Sequence, residues 1–428
     1  MPTILLITVG GSHQPILRAI RDTAPDHVVF FCTGKDTATG QAGSAVQITG
    51  KGNIIKANPG DDKPTLSNIP TQLGFTEDRY TVVEVPADDL DAAFATMRAK
   101  ITELAPHHRL VADYTGGTKT MTAALVLAAL ESEDTELQLV TGARADLVKV
   151  QSGMEQVTGA SVAAIRLRRA MAPYRAAWQR FAYGEAAAGL ARLRPPPGRG
   201  DLSGELAIAR DVSRALDAWD RFDHDAALGV LDHYRPRLGR HLGALLTSLG
   251  ILAGRDRDPD RRSALRLHDL WLNAQRRAVQ GRYDDAVARG YRLLEWTAQW
   301  LLQRHGGIDT SDVPVDRIPG GITLTPNREG KYQAGLFAAW DLVGTLVEGP
   351  AAVFARGERE RLQDHIRVRN HSILAHGFAP IGEDGWRTFG GWLEAALLPV
   401  LETEARAVGI RQMPGQLPTD WVWVEDRS

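Results

Sequence analysis

Two hydrophobic periodicities divide the chain. Over the first 160 or so residues, short apolar runs rich in β-branched side chains recur at 4–9, 28–32, 81–85, 110–113 and 137–140. Helical spacing fills several of the intervals, at 15–23, 88–104 and 118–131. Strands that alternate with helices predict a mostly parallel sheet with helices on both faces. The segment 34–74 is rich in Gly, Thr, Asn and Pro and long for a loop, so it reads as a small hairpin or a flap over a ligand site.

Beyond about Ser161 the strand pattern stops, and Ala, Leu and Arg in helical spacing continue almost to the end. Pro195, Pro196 and Pro197 followed by Gly198 punctuate this region, as does the charged stretch 255–260. Between them a small helical unit is expected, with Trp219, Phe222, Leu228 and Leu231 in its core. A helical hairpin follows from Ser263, turns at Gly281 and ends near Gly306. Its arms resemble a tetratricopeptide-type repeat, but no second copy stands at a fixed period, so a bundle hairpin is expected rather than a solenoid. Residues 306–331 read as an irregular insertion, and the tail carries Trp421 and Trp423. The organisation expected is therefore a Rossmann-like α/β domain at 1–165, a helical linker domain at 166–260, a helical bundle at 261–412 and a tail at 413–428.

Composition narrows the function classes. At 428 residues, 43% apolar and 24% charged, the chain fits a soluble multidomain protein. No apolar run approaches the roughly 18–20 residues that span a bilayer, and the start lacks a basic leader pattern, so a cytoplasmic protein without membrane partners is expected. The single cysteine, Cys32, excludes an internal disulfide and a cysteine-rich metal site. Carboxylate spacing suggests no two-metal centre: Asp284-Asp285 reads as a helix N-terminal pair and Asp61-Asp62 as loop. The formal charge of −2 means that any nucleic-acid contact must come from a local cluster, not a global basic coat. The basic run from Arg356 to Arg369 is interleaved with Glu358, Glu360 and Asp364, the pattern of a solvated helix face.

Chemistry concentrates in two strand-to-helix turns. In Asp113-Tyr114-Thr115-Gly116-Gly117-Thr118-Lys119-Thr120-Met121, a strand enters a Gly-Gly turn and then a long apolar helix. Unpaired amide N–H groups, a helix dipole, threonine hydroxyls and Lys119 at a strand's carboxyl edge suit a phosphate or another anion. The first strand ends similarly, in Gly10-Gly11-Ser12-His13-Gln14, and two such loops converge at the crevice of an open α/β sheet. Neither a Walker pattern nor a full Gly-x-Gly-x-x-Gly is present, which argues against ATPase and dinucleotide chemistry. With these residues the N-terminal region resembles the CARF sensor domains of CRISPR-associated proteins. The resemblance implies a dimeric Rossmann-like domain that binds a cyclic oligoadenylate made by type III interference complexes. Gly10, Gly11, Ser12, Gln14, Thr115, Gly116, Gly117, Thr118 and Lys119 would line the site, one ring lying across two copies.

A second pattern stands near the C-terminus, Arg369-Asn370-His371-Ser372-Ile373-Leu374-Ala375-His376-Gly377. Seven residues at 100° each turn about 700°, so Arg369 and His376 share a helix face some ~10.5 Å apart along its axis. A histidine moves protons and an arginine holds a phosphate whose charge grows. The spacing alone is cheap: Arg261 or Arg262 with His268, Arg235 with His241, and Arg359 with His365 repeat it. None of those is followed at once by a helix-stopping glycine or has Asn after the arginine. The full pattern in a C-terminal bundle resembles the Arg-x(4–6)-His motif of HEPN ribonucleases. CARF and HEPN domains are joined in CRISPR ancillary ribonucleases of the Csm/Csx-like type.

That resemblance implies a homodimeric, metal-independent endoribonuclease with the cyclic oligoadenylate as activator and single-stranded RNA as substrate. Arg369, Asn370 and His376 would be catalytic, and the products would carry 2′,3′-cyclic phosphate and 5′-hydroxyl ends. No other cofactor is implied. The alternative is a nucleotide sensor whose HEPN module is inactive and serves regulation or recruitment. Ligand cleavage within the sensor domain remains an open addition to either.

Overall fold

The computed structural model describes residues 1–37, 39–50, 67–141, 156–195, 199–370 and 377–423, with side chains to 366 in the fifth segment. It divides into two compact units, Met1–Arg168 and Arg169–Ser428.

The first unit holds strands β1 (Thr3–Thr8), β2 (His27–Cys32), β3 (Tyr80–Glu84), β4 (Arg109–Asp113), β5 (Glu136–Thr141) and β6 (Gln156–Ala160). They form one sheet in the order β3-β2-β1-β4-β5-β6, parallel except for the antiparallel edge strand β6. The chain order reverses between β1 and β4, the switch point at which open α/β sheets bind ligands. The helices are α1 (His13–Thr23), α2 (Val46–Thr49), α3 (Ile69–Leu73), α4 (Leu90–Leu104) and α5 (Lys119–Glu131). Alternation along β1 sends Leu5 and Ile7 to a core with Ile16, Leu17 and Ile20 of α1. Ile4 and Leu6 face the opposite core, with Met97 and Ile101 of α4 and Leu125 of α5.

Thr118 and Asp89 are the N-caps of α5 and α4, each accepting a first-turn N–H. The expected flap contributes the short helices α2 and α3 among the described residues; 51–66 lie outside them. Cys32 is fully buried, and burial pushes its thiol pKa up to about 12, an inert state.

The second unit is helical among the described residues, apart from short 3-10 and π turns and one isolated bridge between Pro326 and Tyr332. Helix α6 (Ala163–Trp178) leads into it, followed by α7 (Tyr183–Leu190), α8 (Gly200–Asp220), α9 (His224–His233) and α10 (Arg235–Leu252). Then come α11 (Pro259–Val279), α12 (Tyr283–Gly306), α13 (Leu336–Leu346), α14 (Pro350–Gly357), α15 (Arg359–Asn370), α16 (Glu383–Trp392) and α17 (Leu398–Ala407). A π turn at Leu393–Leu397 joins the last two, with the Leu398 N–H reaching the Leu393 carbonyl. Pro399 accounts for it, because a proline ring collides with the carbonyl four residues earlier in a regular helix.

Helices α8 to α10 belong to the same compact unit as α11 to α17. A buried ion network ties them. Arg276 of α11 is fully buried; its Nε donates to Asp220 Oδ1 at 2.6 Å and its Nη1 to Gln416 Oε1 at 2.6 Å. Asp220 also pairs with Arg277, and Asp269 accepts from Trp219 Nε1 at 3.2 Å and bonds His224 Nε2 at 2.9 Å.

Trp219, Leu228 and Leu231 are buried as expected, but Phe222 is not. It is 39% exposed and sits at φ 64°, the left-handed residue of a helix C-terminus. The Phe222 N–H bonds the Trp219 carbonyl, and the Asp223 N–H bonds the Ala218 carbonyl. The same pair of bonds ends α6 at Phe181, α10 at Gly254 and α11 at Gly281. Around two of these turns the sequence itself recurs, as Ala177-Trp178-Gln179-Arg180-Phe181 and Ala218-Trp219-Asp220-Arg221-Phe222.

Candidate ligand cradle and catalytic helix

The two glycine turns meet at the switch point. A Cβ on Gly10 would lie 2.6 Å from the Gly117 backbone nitrogen, and one on Gly116 would lie 2.5 Å from the Thr8 carbonyl oxygen. Gly117 is at φ 90°, the left-handed region. The turns are locked together by Thr8, whose hydroxyl donates to the Gly116 carbonyl at 2.6 Å, and by Thr122, which donates to the same oxygen at 3.0 Å.

The threonines of the second turn are engaged within the protein. Thr118 Oγ1 donates to the Ala87 carbonyl at 2.7 Å and accepts from the Met121 N–H at 3.2 Å. Thr115 Oγ1 accepts from the Val140 N–H at 2.7 Å. The N–H groups of Gly10, Gly11, Gly116 and Gly117 find no acceptor among the described residues. An anion in the cradle would therefore meet backbone amides first, with Lys119, exposed in the first turn of α5, as the local cation.

The two helix starts differ. Thr118 caps α5, whereas Ser12 precedes α1 in extended conformation with no side-chain cap bond, and Ser12, Gly11 and Gln14 are exposed. The N-terminal amides of α1 thus remain available to an external acceptor. Beneath the second turn Asp113 is completely buried, accepting from the Thr115 N–H at 3.0 Å and Gln138 Nε2 at 3.2 Å. Burial pushes the Asp113 carboxyl above its ordinary range.

His13, the first residue of α1, is half-buried beside this cradle, with Nδ1 2.9 Å from Gln72 Nε2. Burial holds His13 below the ordinary histidine pKa. Gln47 is itself buried, and its Oε1 finds no hydrogen-bond partner among the described residues. The contact of His13 with Gln72, which comes from the 34–74 segment, has no signature in the sequence.

Arg369 and Asn370 fall in the last turn of α15. Their side chains, and His376 with its neighbours 371–376, lie outside the described residues. The decoy spacings resolve differently: His268 is buried against the Pro414 carbonyl at 2.8 Å, and His365 stacks on Trp392 with ring centres 4.7 Å apart. Asp284 stands in the first turn of α12, as expected, and accepts from the Ile381 N–H at 3.1 Å. Among the described residues no group of three or more metal-ligating side chains converges, and no helix is long and apolar enough to cross a membrane.

Comparisons with known proteins bear on both regions. Residues 258–397 match the family model described as the Csm6 HEPN domain. Among solved structures, Enterococcus italicus Csm6 bound to cyclic hexa-2′-fluoro-hexa-dAMP is similar, with a TM-score of 0.52 at 12% identity. That match covers 95% of this chain and 99% of the other. No curated protein matches.

Proposed function

From a CARF–HEPN fold that carries an amide-lined cradle in one unit and an Arg-Asn-x5-His segment in the other, we propose a ribonuclease of type III CRISPR defence switched on by a cyclic oligoadenylate. The observation that carries this reading is the convergence of the Gly10 and Gly116-Gly117 turns at the switch point, in a chain whose helical half matches an HEPN family. The cradle offers several N–H donors to phosphates and leaves the bases to other groups. Gly10, Gly11, Ser12, Gln14, Thr115, Gly116, Gly117, Thr118 and Lys119 form this phosphate side, and His13 joins them.

In the helical half the 2′-hydroxyl of single-stranded RNA attacks the adjacent phosphorus, and the 5′-oxygen leaves. The attacking oxygen loses a proton and the leaving oxygen gains one. The products are a 2′,3′-cyclic phosphate and a 5′-hydroxyl. Arg369 holds the phosphate as charge accumulates, His376 moves the proton, and Asn370 orients its neighbours. Neither a metal nor a redox cofactor is needed for this balance. Each chain of a homodimer supplies one such set to a shared groove on the two-fold axis. Ligand activates to the extent that it binds the cleavage-competent arrangement more tightly than the resting one.

The test is a panel of cyclic oligoadenylates of different ring size, each added with labelled single-stranded RNA in EDTA. One ring size is expected to raise cleavage at least tenfold and to leave cyclic-phosphate ends. Tight ligand binding without RNA cleavage by any ring would replace this reading with that of a sensor whose helical half only recruits or regulates.

A further inference from the structure

A cavity of about 920 Å³ opens beside α15, bounded by α14, α16, the π turn and α17. One wall is aromatic. His365 lies nearly parallel to Trp392, with centres 4.7 Å apart and an interplanar angle of 28°, and Phe354 backs the same indole. The other wall is charged and carries an ion pair. Glu358 Oε2 accepts from Trp392 Nε1 at 2.8 Å and pairs with Arg361 at 3.4 Å, which leaves Oε1 without a partner among the described residues. Asp364 also lines the cavity, as does Val353, 66% exposed on α14.

Three features describe the ligand. An imidazole stacked on an indole presents a flat surface, the platform on which nucleobases settle irrespective of sequence. Glu358 Oε1 can accept a hydrogen bond from an amino group. The position on the helix gives the third. Along α15 the spacing of Glu358, Arg361 and His365 continues to position 369, one turn past His365 and about 6 Å along the axis. A base held at His365 would thus lie within about one nucleotide's length of that turn. Burial holds His365 below its ordinary pKa, so it stacks as a neutral ring at pH 7.

We propose that this cavity is a base-reading subsite for the RNA strand, which stacks one base on the open side of His365, itself held flat by Trp392, and selects a base with an exocyclic amino group through Glu358. The proposal rests on the ribonuclease reading and adds a specificity determinant to it. Cytosine, whose N4 amino group donates to a carboxylate, fits; uracil, with a carbonyl in that place, presents an acceptor to an acceptor.

The test is equilibrium binding of 2′-O-methyl oligocytidine and oligouridine, which cannot be cleaved, to the full-length protein. Wild type is expected to favour oligocytidine roughly tenfold, the effect of one such hydrogen bond. In Glu358→Gln the amide oxygen stays on the Trp392 indole and the amide N–H₂ replaces Oε1, so the preference is expected to narrow or invert toward oligouridine. Val353→Phe, which fills the cavity from an exposed position, is expected to weaken both ligands roughly tenfold at unchanged melting temperature. Equal affinities in wild type, no binding of either, or a preference unmoved by Glu358→Gln would each overturn the proposal. A Val353→Phe variant with a changed oligomeric mass and unchanged RNA affinity would overturn it in favour of a protein contact. If the preference behaves as expected but no cyclic oligoadenylate elicits cleavage, the subsite stands and the activation reading falls.

Discussion

The cradle and the candidate catalytic helix differ in which part of the polypeptide would carry their chemistry. At the switch point the backbone does the work: Gly10, Gly116 and Gly117 approach so closely that a Cβ would collide with main-chain or Thr8 atoms. On α15 the backbone is ordinary helix, and the proposed chemistry rests on which side chains occupy a few positions. A backbone site announces itself through residues that nothing else can replace. A side-chain site on a regular helix has many imitators, and this chain contains three arginine–histidine spacings close to that of Arg369 and His376.

That contrast is broken most severely by His376→Ala, expected to lower activated RNA cleavage by about 10²–10⁴-fold, the usual worth of a general acid or base. Melting temperature and cyclic-oligoadenylate affinity should stay as in wild type; retention of more than a third of the cleavage rate would remove His376 from catalysis. Gly10→Val is the counterpart in the cradle. Its Cβ meets the Gly117 nitrogen at 2.6 Å, whereas a Cβ on Gly11 meets nothing within 4 Å. Gly10→Val should cost ~1–3 kcal/mol of stability and lose ligand binding, and Gly11→Ala should be close to neutral in denaturation; equal costs would contradict the close packing.

A smaller effect concerns pH. Burial holds the free His13 pKa below 6.5, so its protonated form is disfavoured in the folded protein, and a bound polyanion would raise it again. Binding then takes up a proton between the free and bound values. Affinity should strengthen as pH falls through that window and be flat above it, and His13→Gln should flatten the slope. Calorimetry in buffers of different ionisation enthalpy would detect the proton; its absence would place His13 away from the ligand.

The smallest effect compares two phenylalanines in the same left-handed position. Phe222 is 39% exposed and Phe181 only 7%. Glycine relieves about 1 kcal/mol of backbone strain at either site but sacrifices burial mainly at Phe181. Phe222→Gly should therefore be neutral or stabilising by up to ~1 kcal/mol, and Phe181→Gly destabilising by ~1–2 kcal/mol. The reverse order in urea denaturation would contradict this assignment.

The α/β half was legible because strands buried on both faces leave apolar runs that little else produces. Strand β6 was not, since Gln156-Val157-Thr158-Gly159-Ala160 is half-exposed at a sheet edge and carries a glycine and a threonine. Phe222 misled because hydrophobicity predicts burial, whereas the helix terminus fixes φ at 64° and turns the ring outward. The cavity beside α15 escaped because its members come from helices α14 to α17, and its histidine stands in one more arginine–histidine spacing.

The buried salt network has a practical consequence for anyone dissecting the protein. A fragment starting near residue 260 would keep Arg276 and Arg277 but discard Asp220, the carboxylate that both contact. Two interior cations would then share what remains of the network, and stranding a buried charge costs about 3–5 kcal/mol. Such a fragment is thus expected to precipitate on expression, and its failure to cleave RNA would report a severed ion network and not test the proposed nuclease.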